Sequence, residues 1–586
     1  MRQWMVAAKK ADFYVIAEKF HVDPVVARII RNREVIGEKN IRIYLGGNLS
    51  DLSDPHQMKD MDRLVEILAQ KIRKQVHIRI IGDYDVDGVT SSHLFLTALR
   101  RVGAKVDVVI PHRIQDGYGL SLHLLQQAKE DGVDTILTCD NGIAAIDEIA
   151  WAKAQKMTVL VTDLHAVPFE EHEGRRTEKK SLADAVVNPH QQDCGYPYKE
   201  LCGAGVAWNV IRVLYENYDM DKREAEDLLD FVAMATVCDV MSLTGENRIL
   251  VKEGLKRIRH TKNIGLQALM QACNVQPENI SAYHFGYVLG PCVNATGRLD
   301  TARHALRLFE TGQETEAEEI ARDLVDLNQE RKELTLQGVE MAKKLCEEGG
   351  YENDPVLVLF LPDVHESIAG LIAGRIREMY NRPVFVLTRG EEGVKGSGRS
   401  TENYSMYENM CGCAELFTKF GGHPMAAGLS LPEENVEKFR RKINENCPLT
   451  VEEVCPDIHI DMAMPVGYAS TELVHQFALL EPFGKDNPSP LFADRNLSIS
   501  RMWVIGKNRN VLRMSVLSEY GQPVPVIFFG DVETLFAYFT EKFGQKEVEN
   551  ALHGRKNRIL FSMVYTAKID FYQGNENLQL EMKYYR

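Results

Sequence analysis

The sequence predicts an α/β protein, with two α/β domains joined by a long helix and followed by a small β-barrel domain. Three observations predict it. Strand-length apolar runs alternate with amphipathic segments through residues 61–312, a second strand, helix, strand pattern occupies 349–447, and 448–586 holds short strands broken by turn residues. At 586 residues the chain exceeds what one hydrophobic core supports, and its length suggests about three to five domains.

Residues 1–60 mix short helical patterns with a loop and are assigned as an N-terminal helical extension. In 61–312 the runs HIRIIGDYD, KVDVVIP, DTILTCDNG, TVLVTD and DAVVNP are separated by SSHLFLTALRRVG, SLHLLQQAKEDG and AAIDEIAWAKAQ. That rhythm implies a mainly parallel sheet with helices on both faces. From about 207 to 275 the pattern is helical. Residues 313–348 form one charged stretch without proline or glycine between Gly312 and Gly338, assigned as a connecting helix, although a solvated helix lying on one domain has the same pattern. PVLVLFLPD, IAGLIAGRIREMY and PVFVLTRG then repeat the strand, helix, strand order, ending in a glycine-rich loop GVKGSGRS. The strands of 448–586 fit a small barrel, for which an oligonucleotide-binding (OB) fold is one candidate. Trp503 with Lys507, Arg509 and Arg513 offers an aromatic and cations for a single strand, or equally a core aromatic beside solvated basic groups.

Composition narrows the class. A hydrophobic fraction of 45% and a charged fraction of 26% are those of ordinary globular protein. No run approaches 18 apolar residues, and Lys9, Lys10 and Asp12 stand where a signal peptide needs its apolar stretch, so a cytoplasmic, membrane-free protein is expected. Eleven cysteines are scattered, with Cys139, Cys202, Cys238 and Cys292 in apolar segments and only Cys411 and Cys413 close together, which favours reduced thiols over a disulfide or zinc framework. A net charge of −15 argues against coating nucleic acid by bulk electrostatics, but not against basic groups confined to one groove.

The strongest chemical signal is IIGDYDVDGVTSS, in which an apolar strand runs into Asp83, Asp85 and Asp87 at alternate positions, followed by Gly88. Alternation on a strand would put all three on one side, where like charges need cations to neutralise them. Aspartate oxygens suit Mg²⁺ or Mn²⁺. A solvated acidic turn is the competing reading. Further acids end later elements: Asp140 in DTILTCDNG, Asp163 with His165 in TVLVTDLHAVP, and Asp239 in the apolar run DFVAMATVCDVM. A buried acid is costly unless paired or metal-bound, and the set is hard to explain as separate caps.

DYDVDG, CDNG, TDLH and VCDV, in this order and spacing, resemble the four motifs of the DHH phosphoesterase superfamily. PHRIQDGYGL, NPHQ, LCGAGVAW, SLTGENR, GPCVNATGRLD, GVKGSGRS, FGGHPMAAGLSL and EPFGKDNPSPLF resemble segments of its RecJ exonuclease family, across about residues 40 to 510. The resemblance implies a DHH domain, a DHH-associated domain and an OB-fold domain. It implies two-metal hydrolysis, with Asp85, Asp87, Asp140 and Asp239 as ligands of two Mn²⁺ or Mg²⁺ ions and Asp83 close by. His165 would contact the scissile phosphate or orient the nucleophile, and Asp163 is grouped with it as catalytic. Arg113, Ser397 and Arg399 would hold a 5′-terminal phosphate, with His423 and Arg298 also on the nucleic acid. The implied activity is a 5′→3′ exonuclease specific for single-stranded DNA, releasing mononucleotides in recombination and repair, with a helicase and a single-strand-binding protein as partners and a monomer as default.

Two positions depart from the family pattern. The third motif reads Asp163-Leu164-His165 in place of Asp-His-His, and leucine has no lone pair for a metal. Cys292 stands where the family often has arginine, which could weaken a DNA contact. A metal-impaired DNA-binding homologue therefore stands as an alternative, and hydrolysis of small phosphoesters or short oligonucleotides as another.

Overall fold

The computed structural model describes residues 3–113, 116–117, 119–172, 175–351, 353–390, 393–506, 510–572 and 574–586. Two compact units emerge, one of residues 52–456 and one of residues 3–51 with 457–586.

The first unit opens with a five-stranded parallel sheet in the order Lys105–Val109, His77–Ile81, Thr135–Cys139, Thr158–Thr162, Ala185–Val187. Apart from the edge strand Lys105–Val109, its strands are mostly apolar runs buried on both faces, as a helix-covered parallel sheet requires. In chain order the strands lie 2-1-3-4-5, so the direction of winding reverses between His77–Ile81 and Thr135–Cys139. The crevice beyond the carboxyl ends of those two strands is where such sheets bind ligands. A helical layer follows, including Gly203–Asn217, Leu229–Cys238, Gly245–Ile258, Ile264–Ala272 and Gly290–Leu299.

The helix Glu314–Glu348 runs for 35 residues. It packs on Ile264–Ala272 and Gly290–Leu299, while Val339, Ala342 and Cys346 of its second half join a core with Ile368, Ile372 and Val384. That second core backs a mixed sheet ordered Lys419–His423, Ala426–Leu431, Val394–Arg399, Val384–Arg389, Leu357–Phe360, in which only the last pair is parallel. The segment expected to be a glycine-rich loop, GVKGSGRS, is instead the strand Val394–Arg399 at the centre of this sheet. Its glycines serve packing: a Cβ on Gly396 would lie 2.4 Å from a Leu387 methyl, and one on Gly398 2.3 Å from the Met406 sulfur.

In the second unit the strands Phe492–Ile505, Val511–Leu517, Pro523–Phe529, Asn575–Tyr585 and Leu560–Tyr572 pair in that order, and the last pairs back to the first. This closes a five-stranded barrel with OB-type connections. Two helices, Val532–Phe543 and Gln545–Leu552, lie between the strands Pro523–Phe529 and Leu560–Tyr572 where the sequence suggests one. Residues 3–51 belong to this unit. Trp4–Val6 pairs with Ile458–Ile460, and Val26, Ile29 and Ile30 of helix Pro24–Asn32 sit in the same core as Phe492, Met514 and Leu580. No helix among the described residues is long and apolar enough to cross a membrane. Lys507 and Arg509 lie outside the described residues, as do Ile114, Gln115 and Tyr118 of PHRIQDGYGL.

Candidate metal centre and anion pocket

The acidic residues meet at the reversal point of the parallel sheet. The expected strand alternation of Asp83, Asp85 and Asp87 is not how they get there. The strand stops at Ile81, Asp83 occupies the turn after it, Asp85 is the N-cap of helix Val86–Arg101 and Asp87 lies in its first turn. Asp85 caps by accepting a hydrogen bond from the Gly88 N–H at 3.0 Å. Gly88 is glycine because a Cβ there would sit 2.5 Å from the Asp83 backbone. Across the crevice Asp140, just beyond Cys139, takes a left-handed conformation with φ of 62°.

Ligand oxygens of Asp83, Asp85 and Asp140 lie within 4.8 Å of one another. Asp83 is fully buried, and neither of its carboxylate oxygens completes a well-formed hydrogen bond among the described residues. Burial and the charge of Asp85 push its pKa well above the usual carboxylate range, while nearby Tyr84 and Gly119 N–H groups pull it part-way back. Burial and four neighbouring aspartates, Asp87, Asp85, Asp83 and Asp239, do the same to Asp140. Asp87 differs. Its two oxygens accept from the N–H groups of Gly203 at 2.5 Å and Ala204 at 2.7 Å, at the start of helix Gly203–Asn217, yet burial and Asp85 still raise its pKa to about 6. A Cβ on Gly203 would meet the Asp140 Cβ at 2.7 Å, so the LCGAGVAW glycine permits the close approach. Asp239, the C-cap of helix Leu229–Cys238, is close enough to act on Asp140 and His165 through its charge. Hard oxygen donors crowded at one buried point fit divalent cations.

Asp163 is spent on positioning. It accepts from the N–H groups of Ile143, Leu164 and His165 and bonds the His165 Nδ1 at 2.7 Å. Asn188, in the NPHQ segment, holds the His165 carbonyl at 2.9 Å. Burial lowers the His165 pKa, but its bond to Asp163 and the charges of Asp163, Asp239 and Asp87 prevail and hold it at about 9. The Leu164 side chain is buried.

Beside the acids lies a cavity of about 200 Å³ lined by Asp83, Tyr84, Asp85, Arg113, Asn294, Gly297 and Arg298. Arg113 stacks on the Tyr84 ring at 4.9 Å. Arg298 donates to the Ser367 carbonyl at 2.6 Å, and burial with the nearby Arg113, Arg331 and Arg399 lowers its pKa to about 10. Arginines gathered this closely around one cavity make a ready anion site. Tyr84 and Arg113 also line a wider cleft of about 540 Å³ with Ser367, Lys395, Ser397, Lys419 and Phe420. Arg399 lies next to it, donating to the Ser397 Oγ at 3.3 Å. His423 is exposed at the end of its strand, and its neighbours Lys419, Phe420 and Gly421 line the cleft in its stead. Cys292 is 2% exposed, bonded to the Val288 carbonyl and the Asn328 amide, so it lines no described cavity.

Sequence reasoning missed Tyr84, Asn294, Lys395, Lys419 and Phe420. Asn294 had a signal, since it sits in GPCVNATGRLD, and its Oδ1 accepts from the Val86 N–H at 3.1 Å, tying that segment to the acidic turn. Lys395 and Phe420 had the same kind of signal, in GVKGSGRS and FGGHPMAAGLSL, whereas Lys419 had none, because strand pairing between separate segments is what assembles that wall.

Comparison with known proteins is decisive. The DHH family N-terminal domain matches residues 77–236, the DHHA1 domain 353–447 and the RecJ OB domain 460–584. The single-stranded-DNA-specific exonuclease RecJ of Haemophilus influenzae is 32% identical over 582 residues, covering 96% of this chain and 96% of that protein. The chain belongs to the RecJ family. RecJ of Escherichia coli is 31% identical over 582 residues, with 95% of each chain covered, whereas the chain spans 63% of the RecJ of Bacillus subtilis, at 32% identity over 511 residues. Among solved structures, RecJ of Thermus thermophilus in complex with Mn²⁺ superposes with a TM-score of 0.80 at 24% identity, covering 100% of this chain and 79% of that one, which shows the same fold. An exonuclease RecJ bound to manganese matches with a TM-score of 0.56 at 31% identity, over 66% of this chain and 94% of that one.

Proposed function

We propose that this RecJ-family chain is a metal-dependent exonuclease specific for single-stranded DNA, acting 5′→3′ and releasing mononucleotides. The observation that carries the reading is continuity: Asp83 and Asp85 line one cavity with Arg113 and Arg298, and Arg113 lines the next with Lys395 and Ser397. A terminal phosphate held by Arg113, Ser397 and Arg399 would leave the first phosphodiester near the carboxylates, which sets one nucleotide as the product.

Asp83, Asp85, Asp87, Asp140 and Asp239 would hold two Mn²⁺ or Mg²⁺ ions, which supply charge neutralisation at the phosphate and a more acidic water. Gly203 and Ala204 fix the Asp87 carboxylate, and Asp163 fixes the ring of His165 so that it can orient the nucleophile or contact the phosphate. Arg298, buried and already anchored on Ser367, presents its charge at small entropic cost. The OB barrel supports a single-stranded substrate. Action in cytoplasmic recombination and repair, as a monomer beside a helicase and a single-strand-binding protein, completes the reading.

Leu164 favours a second reading, a DNA-binding homologue with impaired metal binding. Incubating the protein with 5′-phosphorylated single-stranded DNA and Mn²⁺, beside a Leu164→His variant, separates the two. Both should release mononucleotides, the variant faster by about tenfold, in line with what a lost partner costs at a metal site. Release by the variant alone points to the second reading. Cleavage confined to dinucleotides would overturn both.

A further inference from the structure

Outside the metal centre, the two thiols of Cys273 and Cys292 face each other at 3.7 Å. No other pair of thiols is in hydrogen-bonding contact among the described residues. Cys273 is the C-cap of helix Ile264–Ala272 and is half-buried, the less buried of the two. Cys292 is buried in the first turn of helix Gly290–Leu299, the helix that also carries Asn294 and Arg298 into the anion cavity. Asn328 of the long helix donates its amide to the Cys292 sulfur at 3.3 Å, and Arg331 in turn donates to the Asn328 oxygen. The hydrogen bond with Cys292 lowers the Cys273 pKa, and Lys332 adds to this, which favours the nucleophilic thiolate at the less buried member.

We propose that Cys273 and Cys292 are a redox-modification site at which hydroperoxides make an intrachain disulfide that pins the helix bearing Asn294 and Arg298. The Cys273 thiolate attacks a peroxide oxygen, the O–O bond breaks, and Cys273 becomes a sulfenic acid as one water leaves. The Cys292 thiol then attacks the Cys273 sulfur and displaces a second water, its proton leaving with the oxygen. Two thiols and one hydrogen peroxide thus become one disulfide and two waters. The two sulfurs close from 3.7 Å to bonding distance, about 2 Å. The bond withdraws the Cys292 sulfur from Asn328 and fixes the start of its helix to the end of Ile264–Ala272.

The test uses the intact, folded protein. It is exposed to graded hydrogen peroxide, quenched with N-ethylmaleimide, cleaved with trypsin and then with Glu-C, and read by mass spectrometry. No lysine or arginine lies between Lys262 and Arg298, so one tryptic peptide carries both cysteines, and cleavage after Glu278 separates them. The expected result is a linked pair of peptides, two hydrogens lighter than their sum, that dithiothreitol releases. In a Cys292→Ser variant the linked pair should vanish while Cys273 becomes reactive toward dimedone. A linked pair still missing when the exposed Cys411 is already modified overturns the proposal, as does a Cys273 that stays inert to dimedone in the variant.

Discussion

Asp83 and Asp140 are ionisable groups held where water cannot solvate them and where neighbouring aspartates oppose their charge. Their cost in the metal-free protein is the drive for metal uptake. Asp140→Asn should weaken Mn²⁺ binding by at least about ten- to a hundredfold, the loss expected even of outer partners, as read by isothermal titration, while the metal-free protein melts no lower than the parent. Undiminished binding would remove Asp140 from the ligand set. Asp87 supplies a pH dependence. Its folded pKa of about 6 exceeds its ordinary 3.8, so its contribution to stability is present below the ordinary value and lost as pH rises through about 6. Cations bind the deprotonated form, so the melting temperature gained on adding Mn²⁺ should be larger near pH 7.5 than near pH 5. Equal gains at both would show that Asp87 does not titrate in this way.

At the scale of elements, what was legible in the sequence is what local chemistry specifies. The parallel strands show because runs such as TVLVT suit burial on both faces, and the metal motifs show because carboxylates at the ends of such runs have few other uses. Two elements were misread for a shared reason. Alternating Asp83, Asp85 and Asp87 have the period of a strand but build a turn and a helix start, since Asp85 makes a good N-cap and Gly88 allows the tight approach to Asp83. GVKGSGRS has the composition of a loop, but its glycines mark contact with Leu387 and Met406, which belong to other segments. Such a position is testable. Gly396→Val places side-chain atoms where Leu387 and Leu429 already pack, and overpacking of this kind costs about 1–3 kcal/mol. Urea denaturation should show the loss, and a variant as stable as the parent would mean that the strand has room that its contacts deny.

Over the whole molecule, the division into domains follows chain order except at its start. Residues 3–51 precede the parallel sheet in sequence yet complete the unit formed by 457–586. Nothing in the local pattern of the first residues announces this, because a helical segment buries its apolar stripe equally well on any partner, and chain order usually places neighbours together. The attachment includes the strand pair Trp4–Val6 with Ile458–Ile460, the apolar face of Pro24–Asn32, the Tyr44 hydroxyl donating to the Asn487 Oδ1 at 2.8 Å, and an ion pair of Arg33 with Asp461 at 3.2 Å, both side chains almost buried. Removing one partner of a buried pair strands the other, so Arg33→Ala should cost about 3 kcal/mol or more. The larger test is deletion of residues 1–51. Val26, Ile29 and Ile30 are fully buried, and each contributes about 1.5–3 kcal/mol by leaving water, so their loss opens one side of the core that Phe492, Met514 and Leu580 line. Limited proteolysis should then cut first within 457–586, the part of the chain that shares a compact unit with the deleted segment, while 52–456 keeps its protection. Cleavage that begins instead in the parallel-sheet unit would show that the first fifty residues stabilise the unit that carries the acidic centre.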